Sequence, residues 1–375
     1  MSMFPVTVGL PASAALILSR LNARGFKAYA VGGCVRDSLL GLAPKDWDVC
    51  SSAVPEQVHE VFEDFRVLDT GREYGTVTLV MPDGPVEVTT LRADGLYGDA
   101  RRPDSVSFGG SLTDDLARRD FTVNAMAWHP ETGLCDPFGG QKDLAAGILR
   151  CVGDARARFG EDALRVLRCL RFASVLGFAI QPDTDRALRE SKALLARVAA
   201  ERISNEFAGL LTGKDAAKIL CEYAEVFAVF LTEYKNVRDW EFGVRVLRRT
   251  PPELDTRLAA LTLPLGADAA AEALVRLRFS RQTVRAVKEF ISCAFQEKTP
   301  ESAAARIARA RTLKEAGLAL GGADLLACGL SPGPRIGEIL AAVREEVLCG
   351  TLENEHAALL RRAVDIIAKK EYTPA

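Results

Sequence analysis

About 145 residues into the chain the apolar residues change their period, and that change limits the available folds more than any other feature. Up to about residue 150, β-branched runs with a period of two alternate with short helical segments. Beyond it the pattern is helical almost throughout, rich in Ala, Leu, Arg and Glu. A chain of 375 residues can bury two or three cores. The fold class expected is therefore α+β, a mixed sheet with helices on one side, followed by an all-α part.

Local signals place the elements. Lys27–Val31 reads as a strand, Gly32-Gly33 as a tight turn, and 34–40 as a short helix stopped by Gly41. Trp47–Cys50 reads as a strand, and Pro55 opens a helix to about Phe62. Thr76–Met81 and Val86–Leu91 flank Pro82-Asp83-Gly84, a hairpin signal. From about Leu144 onward, amphipathic helices are separated by breaks near Gly177, Gly213, Pro251-Pro252 and 331–334, with no fixed-period repeat.

Composition narrows the chemistry. No run of about 18 apolar residues exists to span a bilayer, and the N-terminus lacks a signal-peptide pattern, so a cytoplasmic protein without a membrane is expected. The nine cysteines are scattered with no C-x-x-C pair, and the three histidines lie far apart, which leaves little for a zinc site or a Ser-His-Asp triad. Catalysis should rest on carboxylates and arginines. A net charge of −2 is not that of a general nucleic-acid coat, so RNA binding would need local clusters such as Arg276, Arg278, Arg281, Arg285 and Lys288. A solvated helix face explains that cluster equally well.

Four constellations carry chemistry. In Asp46-Trp47-Asp48 the two carboxylates point to one face of a strand, an arrangement suited to divalent metals about 3.5–4 Å apart. Oxygen ligands favour Mg²⁺, with two ions expected. The competing reading is a solvated D-x-D at a strand entrance. Glu87, between Val86 and Val88, offers a third carboxylate or is simply a residue of the wet face. Gly32 to Asp37 joins a strand to a helix start, where free N–H groups and Arg36 suit a phosphate, although a Gly-Gly pair is often only a turn. Residues 92–106 are too polar to pack and too long for a turn, and read as a mobile functional loop. They lead to a helix end carrying Arg118 and Arg119, which ordinary surface ion pairs would also explain. Last, Glu161 to Phe172 reads as one helix, with Asp162, Arg165, Arg168 and Arg171 opposite an apolar stripe. Steps of three wind backwards, so Asp162 and Arg171 would lie about 180° apart and share a pocket only around an extended ligand such as a nucleoside triphosphate.

The order and wording of these segments, Gly-Gly-Cys-Val-Arg-Asp, Asp-Trp-Asp, Tyr74-Gly-Thr-Val-Thr, Val86-Glu-Val-Thr-Thr-Leu-Arg, Asp115-Leu-Ala-Arg-Arg-Asp-Phe-Thr-Val-Asn-Ala-Met, Asp136-Pro-Phe-Gly-Gly and Glu161-Asp-Ala-Leu-Arg, resemble the bacterial class II tRNA nucleotidyltransferases, the CCA-adding enzymes and their poly(A) polymerase relatives. The resemblance is dense over 27–210. It implies a polymerase-β-like nucleotidyltransferase head (1–143), a helical neck that reads the base (144–210), and a helical body and tail that bind tRNA (211–375). It also implies metal ligands Asp46 and Asp48, triphosphate contacts from Gly33 and Arg36, a nucleotide contact from Arg119, and a base pocket of Asp162, Arg165, Arg168 and Arg171. The family usually has His where Tyr74 stands and Phe where Leu91 stands. A carboxylate accepts from the exocyclic amine of C or A while an arginine donates to the ring acceptor, so the protein can choose both bases without a template.

The expected function is thus complete CCA addition to tRNA from CTP and ATP, with residues 92–106 as the switch between C and A. A-adding in partnership with a CC-adding enzyme is the alternative, and poly(A) synthesis stands behind it. A CC-adder would lack the loop. Nucleotidylation of a small molecule would leave about 165 helical residues idle, and an inactive RNA-binding protein would not need the aspartate pair. Oligomeric state is not legible.

Overall fold

The computed structural model describes residues 8–94, 106–234 and 236–370. The chain divides into two compact units, Met1–Val198 and Ala199–Ala375.

The first unit is built on α1 (Ala12–Ala23), β1 (Ala28–Val31), α2 (Gly33–Leu39), β2 (Trp47–Ser51), α3 (Pro55–Val61), β3 (Arg66–Gly71), β4 (Thr76–Met81) and β5 (Gly84–Thr90). A small hairpin follows, β6 (Arg92–Asp94) with β7 (Val106–Phe108), then α4 (Leu112–Ala117), β8 (Ala127–His129), β9 (Gly133–Cys135) and α5 (Gly140–Ala146). Seven strands form one sheet in the order β3-β4-β5-β2-β1-β8-β9. Every neighbouring pair is antiparallel except β2 and β5, whose parallel register sets Trp47 against Val86 and Asp48 against Glu87.

Alternation explains the strands. In β4 and β5, Val77, Leu79, Val86 and Val88 are buried while the residues between them are not. The chain turns between Met81 and Gly84, where Asp83 accepts from the Ser13 N–H at 3.3 Å and from the Ser13 hydroxyl, fastening the hairpin to the start of α1. That helix buries Ala14, Ile17, Leu18 and Leu21, the i, i+3, i+4, i+7 stripe of a half-buried helix, and lies with α3 against the sheet. On another face, Cys50 joins Val31, Leu91, Leu116 and Ala127 in a core cluster that α4 helps to close.

Beyond the sheet come α6 (Ala155–Glu161), α7 (Leu164–Leu176) and α8 (Pro182–Ser191). The single helix read over Glu161 to Phe172 is therefore corrected. Asp162 is extended, with φ −144° and ψ 102°, and its Oδ1 accepts from the Leu164 N–H at 3.1 Å. With the helix starting at Leu164, Arg165, Arg168 and Arg171 step across one face and Asp162 is no longer bound to their rotation.

The second unit is helical throughout its described residues. Phe207, Phe227, Phe230 and Trp240 form its aromatic centre, with Trp240 stacked on Phe227 at 5.7 Å and its indole N–H donated to the Leu220 carbonyl at 3.0 Å. Buried Arg257 donates to the Leu211 and Gly213 carbonyls at 2.6 and 2.8 Å, placing a cation at the C-terminal end of helix Ala200–Leu211. Burial lowers its pKa, yet the carbonyls leave those donors satisfied.

Gly243, on helix Val237–Leu247, lies so close to the Leu261 carbonyl that a Cβ would overlap it, whereas Gly337 on helix Pro334–Cys349 faces open space. Gly243→Ala should lower stability by about 1–3 kcal/mol through overpacking. Gly337→Ala should be neutral or stabilising by up to about 1 kcal/mol. Urea unfolding midpoints check both, and equal effects would contradict the packing described.

Candidate active site

The sheet register brings carboxylates together. Asp48 and Glu87 stand directly opposite each other on parallel β2 and β5, and Asp46 precedes them on the approach to β2. All three line a cavity of about 680 Å³. Asp48 is held above its usual carboxylate range, first by burial and then by the charge of Glu87; Arg119 offsets part of this and Asp46 adds to it. Such a group gains from a cation beside it. Among the described residues, however, no three His, Cys, Asp or Glu side chains already converge as a metal cage.

Cations form the opposite wall. The chain leaves β1 through Gly32, whose φ of +81° suits glycine and whose missing Cβ leaves room for the Arg119 guanidinium, with Nη1 only 2.6 Å from where that carbon would be. Gly33 follows at the start of α2, and both glycines line the cavity. Arg36, almost fully buried, donates to Asp37 through Nε at 2.8 Å and to Asn124 Oδ1 through Nη1 at 2.5 Å. Fully buried Asp115 holds Arg118 at 2.6 Å and Arg119 at 3.4 Å. Among the described residues, the buried Nε of Arg119 has no hydrogen-bond partner and is an unspent donor on a charged group.

The third wall is the start of α7. Asp162, Arg165, Arg168 and Arg171 all line the cavity, so the structure brings the sequence-predicted residues to one place without needing a ligand wrapped around a helix. Arg165 donates to Glu161 at 2.7 Å and to the Arg118 carbonyl at 2.9 Å. Arg168 pairs with Asp120 at 2.6 Å. Phe172 sits under three guanidiniums, 4.3 Å from Arg171, 5.2 Å from Arg36 and 5.5 Å from Arg168.

Sequence reasoning passed over Asp120 and Asn124 as individual site residues. Asn124 accepts from Arg36 and donates to Asp120 at 3.1 Å, while Asp120 accepts from Arg168 and from the Phe121 N–H. Although burial opposes it, the Arg168 charge and these donors hold Asp120 below its usual carboxylate range. The turn carrying Asn124 is braced from behind. Gly140 at the start of α5 allows close approach to the Thr122 carbonyl, Asp136 accepts from the Gly140 and Gln141 N–H groups, and Asp143 accepts from the Thr122 hydroxyl at 2.7 Å. The Asp136-Pro-Phe-Gly-Gly segment thus has a structural purpose. Lys45, Thr76, Thr89 and Arg92 also line the cavity. Of the loop read over 92–106, residues 95–105 lie outside the described residues. In the second unit, Arg276 pairs with Glu233, Arg278 with Glu201 and Lys288 with Asp268, so three of the five cations in that predicted cluster are bound to acids.

The family described as "Poly A polymerase head domain" matches residues 28–150, and "tRNA nucleotidyltransferase domain 2" matches 311–363. The CCA-adding enzyme of Limosilactobacillus fermentum is 35% identical over 387 residues, covering 94% of this chain and 96% of that protein. That of Lacticaseibacillus paracasei is 37% identical over 390 residues, covering 93% and 95%. The crystal structure of the Bacillus stearothermophilus CCA-adding enzyme in complex with CTP aligns with a TM-score of 0.66 at 31% identity, over 97% of this chain and 99% of that one. No described helix is long and apolar enough to cross a membrane. With relatives this similar over nearly its whole length, the chain belongs to the CCA-adding enzymes, the tRNA nucleotidyltransferases.

Proposed function

We propose that the cavity adds C, C and A in turn to the 3′ end of tRNA from CTP and ATP, with Asp46 and Asp48 holding magnesium, two ions in all. The observation that carries this reading is the direct opposition of Asp48 and Glu87 in a cavity whose other walls are arginine. The raised pKa of Asp48 and the unspent Nε of Arg119 fit a site that receives cations on one side and a polyphosphate on the other. Bound divalent metal would supply activation of the attacking hydroxyl and neutralisation of charge on the leaving oxygen. Glu87 is assigned as a third carboxylate beside the pair. The head is assigned to 1–143, the neck to 144–210, and the body and tail to 211–375.

The chain's own groups do the positioning. The Gly32-Gly33 turn lets the triphosphate approach the backbone at the start of α2, where Arg36 and Arg119 neutralise it. Asp162 accepts from the exocyclic amine of C or A and Arg165 donates to the neighbouring ring acceptor. The bonds from Arg165 to Glu161 and the Arg118 carbonyl fix its guanidinium beforehand, which favours one hydrogen-bonding edge over others. Uracil and guanine would set an acceptor against the Asp162 carboxylate, at a cost of about 1–3 kcal/mol.

The reading is tested by supplying tRNA that ends at the discriminator base, at C or at CC, with CTP, ATP or both, and sequencing the products. Completion to CCA from all three ends is expected. Addition of A alone, and only to the CC end, would replace this reading with A-adding.

Asp48→Asn should abolish incorporation of both nucleotides, because it removes a ligand charge. It should also raise stability in metal-free buffer near pH 7. A carboxyl whose folded pKa lies above its unfolded value destabilises the fold once pH exceeds the usual carboxylate range of about 4, and asparagine removes that penalty. The difference should vanish toward pH 3, where both forms are protonated or neutral. Retained turnover, or a variant less stable at pH 7 than the parent, would contradict the assignment.

A further inference from the structure

Thr76 and Thr89 face each other across β4 and β5, with hydroxyl oxygens 2.9 Å apart, and both line the cavity. Thr89 lies two residues beyond Glu87 on the same strand and so shares its face. Cross-strand threonine pairs stabilise sheets, and that alone would account for the contact. Their position argues for more. In a pair of hydroxyls one donates to the other, so the pair keeps one O–H and several lone pairs for a third group. Among the described residues, no other hydrogen bond to either hydroxyl is present.

The strand order says what that third group is. The carboxylate strand β2 lies between β5 and β1. On the β1 flank stand the Gly32-Gly33 turn and Arg36, the side assigned above to the triphosphate. On the β5 and β4 flank stand Thr89 and Thr76. Attack on the α-phosphorus is roughly in line with departure of pyrophosphate, so the RNA 3′-hydroxyl enters on the side away from the β- and γ-phosphates. That is the threonine side. The group carried next to a 3′-hydroxyl on the same ribose is the 2′-hydroxyl, both donor and acceptor, which matches what the pair has left.

We propose that Thr76 and Thr89 bind the 2′-hydroxyl of the acceptor's terminal ribose, so that the site reads its primer as RNA. This inference rests on the reading of the cavity given above, and extends it to the second substrate. The threonines are specificity-determining residues of the acceptor side.

The test compares tRNA ending in CC whose last residue carries either ribose or 2′-deoxyribose, with ATP as the nucleotide. The full-length parent should favour ribose in kcat/KM by roughly two- to tenfold, the range one neutral hydrogen bond supports. Thr89→Val and the double variant with Thr76→Val should bring that ratio toward one, and Thr89→Ser should restore it, which a merely structural role would not do. In a second arm, the preference for ATP over 2′-dATP on the ribose-ended acceptor should remain as in the parent. A parent without preference for the ribose end, valine variants that keep it, or variants that lose only the ATP preference would each overturn the assignment. Absence of incorporation by the parent on both acceptors would overturn the reading of the cavity itself.

Discussion

A buried relay of hydrogen bonds, Asp37 to Arg36 to Asn124 to Asp120 to Arg168, holds the site together. Arg36 and Asp120 are nearly inaccessible to water, and an unpaired charge in either place would cost several kcal/mol. Each is paired, and the neutral amide of Asn124 joins the two pairs by accepting from the cation and donating to the anion. Because the relay runs from α2 through the turn after α4 to α7, it fixes three separately folded pieces around one cavity. Removing Asn124 would leave a donor of Arg36 and an acceptor of Asp120 unmatched at once.

The three acids of the cavity are left in tension. Asp46, Asp48 and Glu87 repel one another, and Arg119 is close enough to relieve Asp48 only in part. Across from them Arg36, Arg168 and Arg171 surround Phe172. Acids on one wall and arginines on the other suit a cation and a polyphosphate bound together, which is the kind of ligand proposed for the cavity.

The strands β1, β2, β4 and β5 were legible because each alternates under a clear turn signal, and the Asp46/Asp48 pair followed from strand geometry. Edge strand β3 was not, since Arg66–Gly71 pairs only with β4 and buries no residue fully. Strands β8 and β9 are three residues each, too short for a period to show. Helix α1 did carry its stripe of Ala14, Ile17, Leu18 and Leu21 and was missed nonetheless. The helix break at Asp162 also had a local signal, an Asp just before the apolar run, which is a helix-start residue. The relay could not be read, because its bonds join residues 88 and 48 positions apart.

In the function proposed above, one cavity serves both nucleotides through one base-reading pair, Asp162 and Arg165. Replacing Asp162 by Ala and measuring kcat/KM for CTP on tRNA lacking CCA and for ATP on tRNA ending in CC puts this to the test. Both values should fall, each by about tenfold or more, as expected when a bond to a charged acceptor is lost. A variant that loses one nucleotide and keeps the other at the parental rate would show that C and A are read in different places.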